Sequence, residues 1–376
     1  MRITWQLRKT CRLAVLAAWC GAMLAAAAVV TGVAASVAPC WGQGLDYELV
    51  AVRDAGNAND VTGYGGVSYD FRIGTYEVTI GQYAAFLNAV AKADPNNLYS
   101  TAMATNQTIA GISRTGSSGS YAYGVTGPFG ATQIPQATAA NRPITYVCWF
   151  DAARFANWMS NGQPTGLQGP ATTENGAYDL SDWLSDLALP MNPINPNTGS
   201  VPLYRIPTEN EWYKAAYYRG GGAHAGYWTY ATRSDAAPGN VPGGAANEAN
   251  YYAGVHTVTQ SATFVQGQNY LTDIGAFAAS PSGYGTFDQS GNVWEWNDLA
   301  GASGAFRGLR GGGCDDEVSG LASSNRDIRD PASESGFYGF RLASPVAVPE
   351  PSTCAALAAG FAFGCWHVLR RRETGA

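Results

Sequence analysis

Gly291-Asn292-Val293-Trp294-Glu295-Trp296 is the stretch on which the fold turns. Glycine followed by asparagine marks a tight turn, and a glutamate between two tryptophans is drawn into apolar surroundings. A carboxylate placed there needs a partner, because an unpaired buried charge is strongly disfavoured. Two arginines downstream are available for an ion pair with Glu295. Arg310 stands in Leu309-Arg310-Gly311-Gly312-Gly313 and Arg341 in Gly339-Phe340-Arg341-Leu342. The Arg310-Gly311-Gly312 run reads as a strand edge or turn that lets backbones approach closely. Arg341 reads as a structural ion-pair partner rather than a substrate contact.

Upstream, three helix starts carry their own mechanism. Thr79-Ile80-Gly81-Gln82 is a capping box, followed at helical spacing by Tyr83, Phe86, Leu87 and Val90. Thr208-Glu209-Asn210-Glu211 is a second, leading into Trp212, Ala215 and Ala216. Between them Asp151 lies in the first turn of a helix bearing Phe155, Trp158 and Met159, with Cys148 at the cap position. Short strands are expected over 69–73 and 144–147. Residues 100–140, 160–200 and 232–270 are rich in Gly, Ser, Thr, Asn and Pro and read as long loops. No repeat of 20–50 residues appears, which excludes a solenoid or propeller.

Composition agrees. Forty-six glycines and 19 prolines call for many turns, while 46% hydrophobic residues argue against disorder. Eleven Trp and 21 Tyr imply an aromatic core. Residues 45–344 hold 15 basic and 26 acidic side chains, a net charge of −11, so neither nucleic acid nor an anionic lipid surface is an expected partner. Of seven cysteines only Cys148 and Cys314 fall inside that stretch; they could form one disulfide, and sequence does not set their separation.

Both ends read as addresses. Arg2, Arg8, Lys9 and Arg12 precede an apolar, alanine-rich stretch to about Ala35, the layout of a signal peptide over 1–38. At the other end Pro349-Glu350-Pro351 stops the domain, and an apolar run from about Cys354 to Leu369 precedes Arg370-Arg371-Arg372. The run is short against the roughly 17–25 residues of a full bilayer crossing. This order over 348–372 resembles the PEP-CTERM sorting signal. The resemblance implies an exosortase-type transpeptidase as partner and export to the cell envelope or beyond.

The internal blocks also form a series. Tyr76-Glu77-Val78-Thr79, Arg142-Pro143-Ile144 through Cys148-Trp149-Phe150-Asp151, and Tyr204-Arg205-Ile206-Pro207-Thr208-Glu209-Asn210-Glu211-Trp212 precede the Gly291–Trp296, Leu309–Gly313 and Gly339–Leu342 blocks. In this order and spacing they resemble the formylglycine-generating enzyme family, also called the sulfatase-modifying factor domain. The resemblance covers about residues 47–344. It implies a compact α+β fold related to C-type lectin-like folds, with little regular secondary structure and long Gly-rich loops.

What the resemblance implies for chemistry is divided. Active members oxidise a sulfatase cysteine using O2 and a copper ion held by two cysteine thiolates, a soft pair suited to Cu(I). Counted from Gly311-Gly312 those two positions fall on Asp316 and Leu321. Sliding the register to seat Cys314 in the first puts Ser319 in the second. Neither arrangement supplies two thiolates, so copper is not an expected cofactor and catalytic residues are not assigned. A related branch needs three histidines on iron, and the core has only His224 and His256, expected to be solvated; His367 is in the tail.

Calcium carries over better. The resemblance places it on the carbonyls of Ser290, Gly291 and Val293 with the Glu295 side chain, and a second site would begin at Asn250 and Tyr251. The acidic run Asp315-Asp316-Glu317 lies where the family has its active groove. It is either a solvated loop or an altered groove for a cation or polyhydroxylated ligand, with Trp296 as a stacking face or a core residue. The expected function is an exported, non-catalytic, calcium-stabilised binding or structural module, with a glycan or exopolysaccharide as partner. The alternative is an oxidoreductase of the formylglycine-generating type acting on a sulfatase.

Overall fold

Thr79 opens the first helix as a reciprocal cap: its hydroxyl accepts the N–H of Gln82 (3.1 Å), and Gln82 Oε1 accepts the N–H of Thr79 (3.0 Å). The computed structural model describes residues 44–126, 139–181, 187–188 and 190–345. Helix α1 runs Ile80–Val90, α2 Trp149–Ser160 and α3 Glu209–Tyr217. Glu211 closes the α3 cap by accepting the N–H of Thr208 at 2.9 Å. Asp151 does the same at α2, accepting the N–H of Cys148 at 3.0 Å. All three sequence-predicted starts lie where their caps placed them.

The buried faces of α1 and α2 meet through rings. Phe86 packs edge-on against Phe155 (centroids 5.3 Å apart), and Phe155 against Phe340 (5.5 Å). Offset and edge-to-face geometries of this kind add to the burial of apolar area itself. This aromatic layer joins the helices to the C-terminal block of the domain.

Strands are few and short. β1 (Leu49–Val52) pairs antiparallel with β2 (Phe71–Gly74), as does β9 (Ala343–Ser344), giving the order β1-β2-β9. β3 (Ile112–Thr115) and β4 (Ala122–Val125) form a hairpin. The third sheet has the order β7-β6-β5-β8, from β5 (Trp294–Asn297), β6 (Arg307–Arg310), β7 (Asp327–Arg329) and β8 (Tyr338–Gly339). Within it β5 and β8 are parallel. The fold is α+β with little regular secondary structure.

Two expectations are corrected, and of the two readings of the Arg310-Gly311-Gly312 run the turn is the one that forms. The strand expected over 144–147 does not form: Tyr146 sits at φ 58°, outside the β region, although Ile144 N–H still reaches Val78 C=O at 2.9 Å. The loop expected over 100–140 contains the β3–β4 hairpin. The Arg310 segment is not a sheet edge, since β6 lies between β7 and β5; the turn comes after it, at Gly311 (φ 101°) and Gly312 (φ 74°).

Arg341 ties these pieces together. Its Nε donates to Glu295 Oε2 (2.6 Å) and its Nη2 to Glu295 Oε1 (2.7 Å), a two-pronged pair with both side chains fully buried. Nη1 donates to Gly74 C=O (3.0 Å) and Nη2 also to Phe287 C=O (2.8 Å). Glu295 Oε2 accepts the indole N–H of Trp212 at 2.8 Å. One guanidinium therefore links β2, β5 and the 287 loop, and its carboxylate partner reaches α3. Breaking such a pair from one side leaves a buried charge uncompensated, at a cost of about 3–5 kcal/mol. Arg341→Met is expected to lose that much stability in urea unfolding, and Arg341→Met combined with Glu295→Gln to regain a substantial part. A double variant no more stable than the single one would sink this assignment.

Two further carboxylates crowd the pair. Glu77 Oε2 lies 3.9 Å from Arg341 Nη2 and has no hydrogen-bond partner. Burial, then the neighbouring Asp288, pushes the Glu77 carboxyl well above its usual range. Burial raises Asp288 to about 6, opposed by the N–H of Gly275 donating to it and by Arg341. A raised carboxyl binds its proton more tightly folded than unfolded. Its contribution is thus complete at acid pH, below the unfolded value, and is lost as pH rises through about 6. Asp288 keeps some solvent contact, so we expect its share to be about 1–2 kcal/mol. Asp288→Asn should flatten the stability-versus-pH curve between roughly pH 4 and 7, measured by urea unfolding at each pH; an unchanged slope would contradict it.

Candidate functional site

Beyond β6 the chain turns back on itself. Gly311 C=O accepts the N–H of Gly291 at 2.8 Å, and a Cβ on Gly312 would stand 3.0 Å from the Gly320 backbone. The loop that follows, 313–317, is set by Asp316. Its Oδ2 accepts the N–H of Gly313 (2.7 Å) and the indole N–H of Trp294 (2.6 Å), while its carbonyl accepts the N–H of Tyr252 (2.9 Å). Leu321, at the other end, is fully buried beside Ala249 and Tyr251. Its carbonyl accepts the hydroxyls of Tyr217 (3.2 Å) and Ser290 (3.4 Å).

The two positions to which the resemblance assigns copper thiolates thus have other work. One pins a turn to an indole, and the other fills the core. In the shifted register Cys314 is buried and Ser319 is exposed. Burial, and then Asp315 and Asp316, push the Cys314 thiol well above its ordinary value. Burial and Asp151 do the same to Cys148. Both are free thiols in separate clusters, so the disulfide alternative is not adopted. Copper(I) takes the thiolate, which both environments disfavour.

The calcium expectation meets a different obstacle. Ser290, Gly291, Val293 and Glu295 are contiguous, but both oxygens of Glu295 are committed to Arg341 and Trp212. A dication on that carboxylate would be set beside a guanidinium, so the site fits the arginine and not calcium. At the second position the Asn250 carbonyl accepts the N–H of Asn292 (2.8 Å), and the Tyr251 carbonyl accepts the Thr257 hydroxyl (2.8 Å). Among the described residues no group of three His, Cys, Asp or Glu side chains is placed to hold a metal. Of the two arginines offered for Glu295, Arg341 takes it. Arg310 donates from Nε to Glu209 Oε1 at 2.9 Å.

His224 is exposed as expected, but His256 is not solvated: it is 8% exposed. Its ring lies 4.8 Å from Tyr252 and 4.7 Å from Tyr270, with Nδ1 3.5 Å from Asp315 Oδ1. The polar character of 232–270 concealed this; the signal was the recurrence of Tyr252, His256, Phe264 and Tyr270 within it. Trp296 is a core residue, its indole N–H donating to Val147 C=O at 3.0 Å, so it offers no stacking face. Asp315 and Glu317 are exposed and Asp316 is half-buried. The signal peptide (1–38) and the sorting segment (348–372, with Pro349, Glu350 and Pro351) lie outside the described residues.

Comparison with known proteins identifies the family. The model of the sulfatase-modifying factor enzyme 1-like domain family matches residues 65–346. No curated protein sequence matches the chain. Among solved structures, CarF is similar at 22% identity, over 80% of this chain and 99% of its own, with a TM-score of 0.43. Treponema denticola variable protein 1 is similar at 18% identity, over 81% and 97%, with a TM-score of 0.40. PvdO from Pseudomonas aeruginosa is similar at 17% identity, over 80% and 93%, with a TM-score of 0.38. With the family model spanning most of the chain, this protein belongs to the sulfatase-modifying factor enzyme 1-like domain family.

Proposed function

We propose that this domain is a non-catalytic binding and structural module that has kept the family's scaffold and lost its oxidase chemistry. The observation that carries the reading is the pair Asp316 and Leu321. Neither can ligate copper as a thiolate, and each is built into the surrounding structure by hydrogen bonds or core packing. The central stabilisation that the resemblance assigned to calcium falls instead to the Arg341–Glu295 pair. The basic and apolar N-terminal stretch and the Pro349-Glu350-Pro351 segment support export to the envelope or exopolysaccharide, with an exosortase-type transpeptidase as processing partner. A sulfatase is a partner only under the oxidase reading.

Titration of the reduced protein with Cu(I) against a competing chelator tests this. The expected result is no site tighter than about 1 nM, with Cys314→Ser indistinguishable from the parent chain. A tight site lost in Cys314→Ser would mean that two thiols converge after all and would restore the oxidase reading. Asp316→Ala is expected to cost about 1–3 kcal/mol, because the Gly313 N–H and the Trp294 indole both lose their acceptor. Chemical unfolding followed by tryptophan fluorescence reads both the cost and the change around Trp294.

A further inference from the structure

The outer side of the 313–317 loop faces rings from the 252–270 segment. Phe264 stacks on Tyr270 with centroids 5.1 Å apart and planes 15° from parallel, yet is 51% exposed. One of its faces is backed, and about half of the residue's surface stays open to solvent. His256 stands 6.0 Å from Phe264 and is held between Tyr252 and Tyr270. Its Nδ1 is buried without a hydrogen-bond partner and is aimed toward Asp315, whose side chain is 38% exposed. Asp316 is already committed to the turn, so the carboxylate available to the ring platform is Asp315, whose second oxygen is not used by His256.

A single exposed phenylalanine needs no explanation. This one is different in three ways: it is supported from behind, it adjoins a buried imidazole, and a partly exposed carboxylate pairs with that imidazole. Phe264 packs on Tyr270 and His256 but stays outside the buried core clusters, with half of its surface exposed. A flat apolar face beside a hydroxyl acceptor is the chemistry that recognises a sugar ring: its C–H face lies on the aromatic ring while its hydroxyls donate to the carboxylate.

We infer that Phe264, His256 and Asp315 form a saccharide subsite for a polymer of uncharged or amino-bearing hexopyranose units. Phe264 receives the apolar face of the sugar, and Asp315, beside His256, accepts from its hydroxyls. The net charge of −11 on residues 45–344, with Asp315 and Glu317 exposed at the site, disfavours uronate and sulfated chains. The inference rests on the non-catalytic reading and names its ligand class.

Saturation-transfer NMR on the full-length chain tests it with hexasaccharides of β-1,4-linked glucose, N-acetylglucosamine and glucosamine, and with a mannuronate hexamer as the anionic arm. Transfer is expected to at least one of the first three and not to mannuronate. Phe264→Ala and Asp315→Ala should each weaken that binding by about tenfold or more, while Val61→Ala, at a fully exposed remote position, should leave it unchanged. Absence of transfer to all three, equal transfer to mannuronate, or undiminished binding by Phe264→Ala would each overturn the subsite. None of these outcomes bears on the copper titration, so failure here is distinguishable from failure of the non-catalytic reading. Circular dichroism on both variants separates a lost contact from a lost fold.

Discussion

Arg341 is the constraint on which the rest of the domain depends. The described residues form three small sheets and a few short helices, which give few long hydrogen-bond ladders, so side chains must do the joining. A guanidinium suits the task because its donors are fixed in a plane and reach several partners at once. Two of its donors go to one carboxylate and the others to backbone carbonyls from separate segments. Removing either ionic partner disturbs every segment that meets there. The acids crowded around the pair are affected by the same burial: it, and then the neighbouring carboxylates, push Glu77 and Asp288 toward their neutral forms against the pull of Arg341.

Much of this was legible beforehand, for reasons that differ by residue. The helix starts could be read because a capping box is local: Thr79 and Gln82, or Thr208 and Glu211, need only each other. The partner of Glu295 could be narrowed to two arginines but not decided, since both occur in similar glycine-flanked blocks; even the register does not decide it, because Arg310 lies opposite Glu295, and it is Glu209 on α3 that draws Arg310 away. Tyr146 could not be read at all. Ile144–Val147 has strand character by composition, and it is the left-handed backbone at one residue, fixed by contacts far away in sequence, that prevents a strand. His256 was misread because the segment around it is polar on average, whereas its burial depends on three rings that meet it only after folding.

The two positions where the family resemblance puts metal ligands hold side chains with structural partners instead. A cysteine pair that binds copper must be accessible and ionisable. Here one position holds a carboxylate that ties a backbone amide to an indole, and the other an aliphatic side chain within the core. The remaining thiol nearby is buried among acids, which suppresses its ionised form. Asp316 thereby ties the loop to the sheet, while Asp315 pairs with His256 at the loop's partly exposed side.

The sheet formed by β1, β2 and β9 has a mechanical consequence. Leu49 is opposite Gly74, whereas Ser344 is opposite Arg72, and both outer strands run antiparallel to the middle one. The domain's entry and exit are joined there, with the Tyr47 hydroxyl accepting the N–H of Leu342 at 2.9 Å. A pull applied to the two ends would draw β1 and β9 in opposite directions along β2. The hydrogen bonds would be loaded in shear and would share the force, rather than opening one at a time as in a zipper. A polymer or a membrane pulling on such a domain would meet its stiffest direction first.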